Sequence, residues 1–339
     1  MNDKPDILFP DGGSLRGLAR FSVEMSEIPE KAQLHVGAGN VTFLRPTCLI
    51  LLAKICRTRS RLYPKEKMLY SGLEKLNYAN NLGFSQALNI LDNPFPQGAF
   101  GGKSYIPMSV MSLDSLQALA AEKAFEIGDA IEERCEDISR IVSQDRSAEL
   151  KNTLARSFCE IFRNTFEHGK SQSAVFCCQY WPKLNTVEIC IADRGMGVRT
   201  SICESKYTKP ENDAEALSLA LMPGVSSKAW KHKKKKAAQK TVWDNAGYGL
   251  FFAHQIFGKL GHFFIASGES ALYLDVDRFD EIPCSIEGTL VSMRMNLSEQ
   301  EKIVGALEET RKNAAQVKER LGVKSLDYSV AQDFLRSGK

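Results

Sequence analysis

The chain reads as an α/β (α+β) protein of two units, and three features of the sequence carry that reading. Strand-like and helix-like stretches alternate before residue 92. A Pro/Gly-rich passage follows at 92–112 (Pro94, Pro96, Gly98, Gly101, Gly102, Pro107), a composition that suits a linker. From Ala174 the apolar period changes from helical to alternating, the mark of strands with one buried face. The expected architecture is a smaller N-terminal α/β unit followed by an α/β sandwich, whose mixed, mostly antiparallel sheet is covered by helices on one face. The expected divisions are a lead-in at 1–30, a first unit at 31–110, a second at 111–298 and a helical tail at 299–339.

Taken in order, residues 1–30 hold Pro5, Pro10, Gly12, Gly13 and Pro29 and predict at most a short helix near Leu15 to Met25. Gln33 to Val36 predicts a short strand, and Asn40 to Leu44 its continuation or a second, turn-linked piece. Pro46 stands at a helix start, where its fixed φ and missing donor do no harm. That helix runs from Thr47 to Arg59 with a basic end, which suits the helix dipole. Lys67 to Leu73 reads as a strand, and Leu76 to Leu91 as a helix interrupted by Asn80, Asn81 and Gly83. One helix is expected from Asp114 or Ser115 to about Val142, with Glu132, Glu133, Glu136 and Asp137 on a solvated face. Ser147 restarts the chain into a helix that ends near His168. Ala174 to Tyr180 and Thr186 to Ala192 form a hairpin, with Val187, Ile189 and Ile191 on one face. A helix from Leu250 to Leu260, strands at His262 to Ala266, Ala271 to Val276 and Thr289 to Met295, and a charged helix at Glu299 to Leu321 complete the chain.

The bulk numbers narrow the function classes. A chain of 339 residues can bury two cores of ordinary size. Its 43% hydrophobic and 25% charged content is that of a globular protein. A net charge of +3 does not by itself imply a nucleic-acid or membrane partner. The longest apolar stretch, Cys48 to Ile55, is interrupted by Lys54 and far too short for a bilayer. None of the nine cysteines has C-x-x-C spacing, and most lie in apolar runs, so buried reduced thiols and a cytoplasmic location are expected. The amino terminus has no basic segment followed by an apolar one, so no signal peptide is expected.

The stretch Glu160-Ile161-Phe162-Arg163-Asn164-Thr165-Phe166-Glu167-His168-Gly169 organises the second unit. As a helix it puts Leu154, Phe158, Ile161, Phe162 and Thr165 on an apolar stripe and Ser157, Glu160 and Asn164 on a polar one, with His168 at its rim. Glu160 and Asn164, four apart, point into one pocket. Gly169 suits a helix end that needs positive φ, and Arg163 with Glu167 reads as a surface ion pair. On its own the polar stripe reads as a solvated face. Two further pieces follow it: Asp193-Arg194-Gly195-Met196-Gly197 after a strand, and Gly247-Tyr248-Gly249-Leu250 opening a helix.

These three pieces, in this order, resemble the nucleotide-binding boxes of the GHKL ATPase superfamily, whose members adopt the Bergerat fold and include chaperones, topoisomerases, histidine kinases and anti-sigma serine kinases. The resemblance implies ATP and Mg²⁺ as cofactors. Asp193 would accept from the adenine amino group, an acceptor-only carboxylate telling adenine from guanine, with Gly195 and Gly197 allowing close approach of backbone to base. Asn164 would be the magnesium ligand, a hard oxygen donor. Gly247, Tyr248 and Gly249 would offer backbone donors to phosphate at a helix N-terminus, beside Leu250. Thr289 would hold the adenine end. Glu160 would be the catalytic residue, a general base for water or a group positioning a protein acceptor. His168 would contact phosphate or cap the helix.

The first unit resembles a STAS-type domain, as in anti-sigma antagonists, through Val41-Thr42-Phe43-Leu44-Arg45-Pro46-Thr47 and Leu76 to Phe84. Thr47 occupies the place of the phosphate-accepting serine there, but Arg45, Pro46 and Cys48 depart from the pattern, so a capping role is expected for it. Lys228, Lys231, Lys233 to Lys236 and Lys240 fall where the family has its ATP lid. They read as a solvated loop, as a source of a γ-phosphate ligand such as Lys228, or as a contact for an acidic partner or nucleic acid. The expected function is a regulatory ATP-binding protein that hydrolyses ATP slowly or phosphorylates a protein partner, with homodimerisation left open. A non-catalytic ATP-gated module and a nucleic-acid binder acting through the lysines are the alternatives.

Overall fold

The computed structural model describes residues 5–10, 14–88, 102–124, 126–204, 209–223, 249–298, 300–321 and 328–337. The protein is mixed α/β. Three parallel strands, β1 (Ile7–Leu8), β2 (Gln33–Gly37) and β3 (Lys67–Ser71), form a small sheet in that order, with α1 (Leu15–Glu27) and α2 (Pro46–Leu62) among them. Ser14 caps α1 by accepting from Gly17 N at 3.0 Å, and Leu15, Leu18, Phe21 and Met25 form its buried stripe. The lead-in is thus built into the fold, because its apolar residues recur at helical spacing and Ile7 and Leu8 find a parallel partner in β2.

Residues 40–45 form no strand; the extended chain there leads straight to Pro46 at the first turn of α2. The helix expected after Leu76 is two short ones, α3 (Asn77–Asn81) and α4 (Phe84–Ala87), separated by Gly83 at φ 92°.

The stretch expected to be a linker holds β4 (Tyr105–Ser112), which pairs with β5 (Ser173–Trp181). The large sheet runs β4-β5-β6-β8-β7, with β6 (Thr186–Asp193), β7 (Gly261–Asp275) and β8 (Phe279–Asn296). Every pairing in it is antiparallel, where a mixed sheet was expected. β7 is one long strand rather than two, and β8 begins ten residues earlier than its alternating apolar core predicts, because the two form a continuous hairpin with bulges at Ser267 to Ser270.

Between β4 and β5 lie α5 (Leu113–Lys123), α6 (Ile127–Ser143) and α7 (Ala148–Arg163). The single helix predicted across 114–142 is broken at Ala124, which takes φ 54°. Ser147 caps α7 as expected, accepting from Leu150 N at 3.1 Å. After β6 come α8 (Val198–Cys203), α9 (Asp213–Ala220) and α10 (Gly249–Leu260), and the chain closes with α11 (Gln300–Leu321) and α12 (Tyr328–Ser337). The terminal helix is docked: Ala331 and Leu335 are buried and the Phe334 ring stacks on Phe251 at 6.0 Å.

Alternation along β6 sends side chains to two different cores. Val187, Ile189 and Ile191 join Phe158, Phe162, Phe251 and Phe252 under α7 and α10. Cys190 and Ala192 join Leu18, Phe21, Leu49 and Leu52 under α1 and α2. The sheet is therefore covered on both faces, the second by the N-terminal helices, where a cover on one face was expected. Eight of the nine cysteines are buried free thiols and Cys203 is exposed. No described helix is long and apolar enough to cross a membrane.

Candidate functional site

The expected apolar stripe of α7 is buried throughout: Leu154, Phe158, Ile161, Phe162 and Thr165 all lie in the core. Past Arg163 the helix widens into a π turn over Asn164–His168. Gly169 N donates to Asn164 O at 2.7 Å, a bond spanning five residues. Such widened turns concentrate at functional sites because they re-aim side chains without ending the helix. The expectation that Gly169 takes positive φ is corrected: its φ is −70°, and Lys170 instead takes 51°.

Asp193 ends β6 with only 6% of its surface exposed. Its Oδ1 accepts from Gly195 N at 2.7 Å and from Thr289 N at 3.3 Å, and its Oδ2 accepts from Thr165 Oγ1 at 3.3 Å. One carboxylate thus ties together the end of β6, the middle of β8 and the π turn. Burial pushes its pKa up, against the pull of the Gly195 donor, the Lys54 charge, and the Thr289 and Thr165 donors. An ionised carboxylate has about four acceptor positions; with three donors bound, the Oδ2 side keeps one for a further donor such as an exocyclic amine.

Gly195 approaches backbone closely, but the backbone is the protein's own. A Cβ there would overlap the Gly169 carbonyl, which accepts from Met196 N at 2.8 Å. Gly197, at φ 79°, starts α8; Ser267 Oγ accepts from Val198 N at 3.0 Å and donates to Gly288 O at 2.7 Å. Thr289, half-buried beside it, contributes its main-chain N–H rather than its hydroxyl to Asp193.

Glu160 lies one turn before Asn164 with its side chain 23% exposed. Burial raises its pKa, partly countered by Arg163, whose Nη1 lies 3.4 Å from Oε1. Among the described residues Oε2 has no partner. Gly249, the first residue of α10, sits against the Glu160 stem so closely that a Cβ would overlap it. Lack of a side chain at Gly249 is what lets α10 begin beside the carboxylate. Leu250 is half-buried in the first turn of α10 against the helical core. Arg163, expected to pair with Glu167, reaches Glu132 at 3.2 Å as well as Glu160, while the Glu132 side chain stays 45% exposed on the solvated face. Asn164 and His168 are both half-buried in the π turn. Gly247, Tyr248, Lys228 and the other lid lysines lie outside the described residues.

The structure therefore brings together Asp193, Gly195, Thr289 and the π turn carrying Asn164, and brings Glu160 to the start of α10. Sequence reasoning missed Thr165, assigned to the apolar stripe, and Ser267, a polar residue inside an apolar strand. In both cases the available signal was a hydroxyl at a position whose neighbours are core. The donor set fits an adenine nucleotide: a buried acceptor for an amine, a single hard amide oxygen at Asn164 for a magnesium ion that keeps most of its waters, and a helix N-terminus at Gly249. Among the described residues no three His, Cys, Asp or Glu side chains cluster as a metal-ligand set, so such an ion would rest on that one amide and on the nucleotide.

No protein-family model, curated protein or solved structure matches the chain.

Proposed function

We propose that this is an ATP-binding regulatory protein of the GHKL class, which binds Mg-ATP and turns it over slowly to water or to a protein acceptor. The observation that carries this reading is the Asp193 carboxylate, buried at the end of a central strand, cross-braced by three donors from separate segments and left with one acceptor position. Asp193 selects the amine of adenine. Asn164 supplies the amide oxygen for magnesium, which when bound would neutralise phosphate charge. Glu160, at the head of α10, holds a proton more tightly than an exposed glutamate and is placed to accept one from water or from a hydroxyl.

Calorimetric titration of Mg-ATP into wild type and Asp193→Asn tests the binding step. Wild type is expected to prefer ATP to GTP, and Asp193→Asn to bind ATP about tenfold or more weakly, the loss of one charged hydrogen bond. Equal affinity in the two proteins, or none in wild type, would sink the reading. Incubation with γ-labelled ATP then follows the label into free phosphate or phosphoprotein, and Glu160→Gln is expected to lower that turnover about 100-fold while leaving binding intact.

A non-catalytic, ATP-gated module is the second reading, favoured by the Arg163 ion pair that engages one oxygen of Glu160. It predicts binding by wild type with the label remaining on ATP.

A further inference from the structure

Lys54 belongs to the N-terminal unit, yet its ammonium lies at the main-chain carbonyl of Asp193. It projects from the middle of α2 and is 9% exposed. Nζ donates to the main-chain O of Asp193, the residue whose side chain faces the opposite side of the sheet toward Thr165. One turn further along α2, Thr58 Oγ1 donates to Glu287 at 3.3 Å, and Arg61 forms an ion pair with the same carboxylate. Glu287 is two residues before Thr289, the other main-chain donor to Asp193. One row on α2, Lys54, Thr58 and Arg61, thus grips the end of β6 and the middle of β8, the two segments that frame the carboxylate.

An unpaired lysine is rarely buried, because losing hydration disfavours the charged form. Burial does pull Lys54 down to about 8, with Asp193 and Glu287 acting to keep it charged and Arg194 and Arg61 opposing them. A methionine would fill the same space at lower cost. The retained cation has one polar main-chain partner, the Asp193 carbonyl, and of the two carboxylates that act on it, Asp193 and Glu287, Asp193 acts the more strongly.

We infer that Lys54 is a positioning residue for Asp193, so that nucleotide binding in the second unit depends on how α2 of the first unit is docked. This rests on the reading of Asp193 as the adenine acceptor. The cation fixes the strand-end carbonyl and, across the end of β6, favours the ionised acceptor form of the side chain. Nucleotide bound at Asp193 would in return favour the docked position of α2, since coupling between two sites is reciprocal.

The test uses the full chain as wild type, Lys54→Met and Lys54→Arg. Two quantities are read: Mg-ATP affinity by calorimetry, and titration of the Asp193 carboxyl in the nucleotide-free protein by carbon-13 NMR. Lys54→Met is expected to bind Mg-ATP about tenfold more weakly and to make Asp193 about a tenfold weaker acid, the usual effect of losing a neighbouring opposite charge. Lys54→Arg is expected to restore both to within about threefold. Wild-type affinity and an unmoved Asp193 titration in folded Lys54→Met would overturn the inference, as would failure of Lys54→Arg to restore either. Should Lys54→Met not fold, wild type against Lys54→Arg decides. The charged groups around the ammonium are Asp193, Glu287, Arg194 and Arg61, and the nearby Cys190 thiol is pushed well above its usual range by burial. Lys54 alone then loses charge near pH 8, so wild-type affinity is expected to fall about tenfold between pH 7 and 9.5 while that of Lys54→Arg stays level. A level wild-type profile overturns the inference. Failure of wild type to bind any adenine nucleotide would defeat the proposed function, whereas the Asp193 titration in free protein still reports whether Lys54 governs that side chain.

Discussion

Thr165 and Glu160 sit five residues apart on one helix and meet opposite demands. Thr165 shares its one hydroxyl hydrogen between Asp193 Oδ2 and Ile161 O, at 3.3 and 3.2 Å, so its polarity is spent inside the core. Thr165→Val keeps the shape and removes the donor; it is expected to cost about 1 kcal/mol in urea unfolding and to weaken Mg-ATP binding several-fold. Glu160 is held above its usual carboxylate range because burial disfavours its charge. Its native form therefore keeps a proton at pH values where the unfolded chain has released it, and unfolding releases protons in that window. Stability contributed by this group is then greatest below about pH 4.5 and declines as pH rises toward its native pKa. Glu160→Gln is expected to melt higher than wild type at pH 7 and to lose that advantage by pH 4; a constant difference across the range would contradict the shift. The gain in stability should accompany the loss of turnover, as is common where a site holds a group its surroundings disfavour.

At the level of helices and strands, two junctions fix the site. Gly249 lets α10 start against Glu160, and Gly249→Ala is expected to force the helices apart at a cost of about 1–3 kcal/mol, read by thermal melting. Glu188, in mid-β6 and fully buried, accepts from Thr47 N at 3.1 Å, Thr47 Oγ1 at 2.7 Å and Arg45 Nη1 at 3.2 Å. Thr47 Oγ1 lies 2.6 Å from Ser292 Oγ, so its hydroxyl joins α2 to the sheet and neither caps α2 nor reaches solvent. Glu188→Ala is expected to destabilise the protein by about 3 kcal/mol, since it leaves Arg45 without its buried counter-charge. These junctions explain what the sequence did and did not make legible. The apolar stripe of α7, the β5–β6 hairpin and the turn at Asp193 follow local periodicity and were readable. The burial of Glu188 was not readable because alternation says which residues share a face, not what covers it. The widened turn at 164–168 was hidden for a related reason: its five-residue spacing comes from packing against Gly195 and Asp193, not from any local propensity.

Across the molecule, the two cores share one sheet. Cys177, Cys190, Ala192, Phe264 and Leu290 complete the core of the N-terminal helices, while their neighbours along the same strands complete the other. A fragment of residues 102–339 would bare that whole apolar face, at roughly 1.5–3 kcal/mol for each large side chain uncovered. It is expected to aggregate or to lack a fixed tertiary near-UV signal, and the intact chain to unfold in one transition by both fluorescence and circular dichroism. Two separate transitions would show the units to be independent. The two cores lie on opposite faces of one sheet, an arrangement that depends on pairing across long stretches of chain. Thr47 and Ser292, joined by their hydroxyls, are 245 residues apart. At about 5–20 residues per second, the ribosome takes roughly 12–50 s to travel from one to the other. For that time α1 and α2 have been synthesised without β8, on which α1 rests, so the nascent chain should be a client for chaperones before that strand is made.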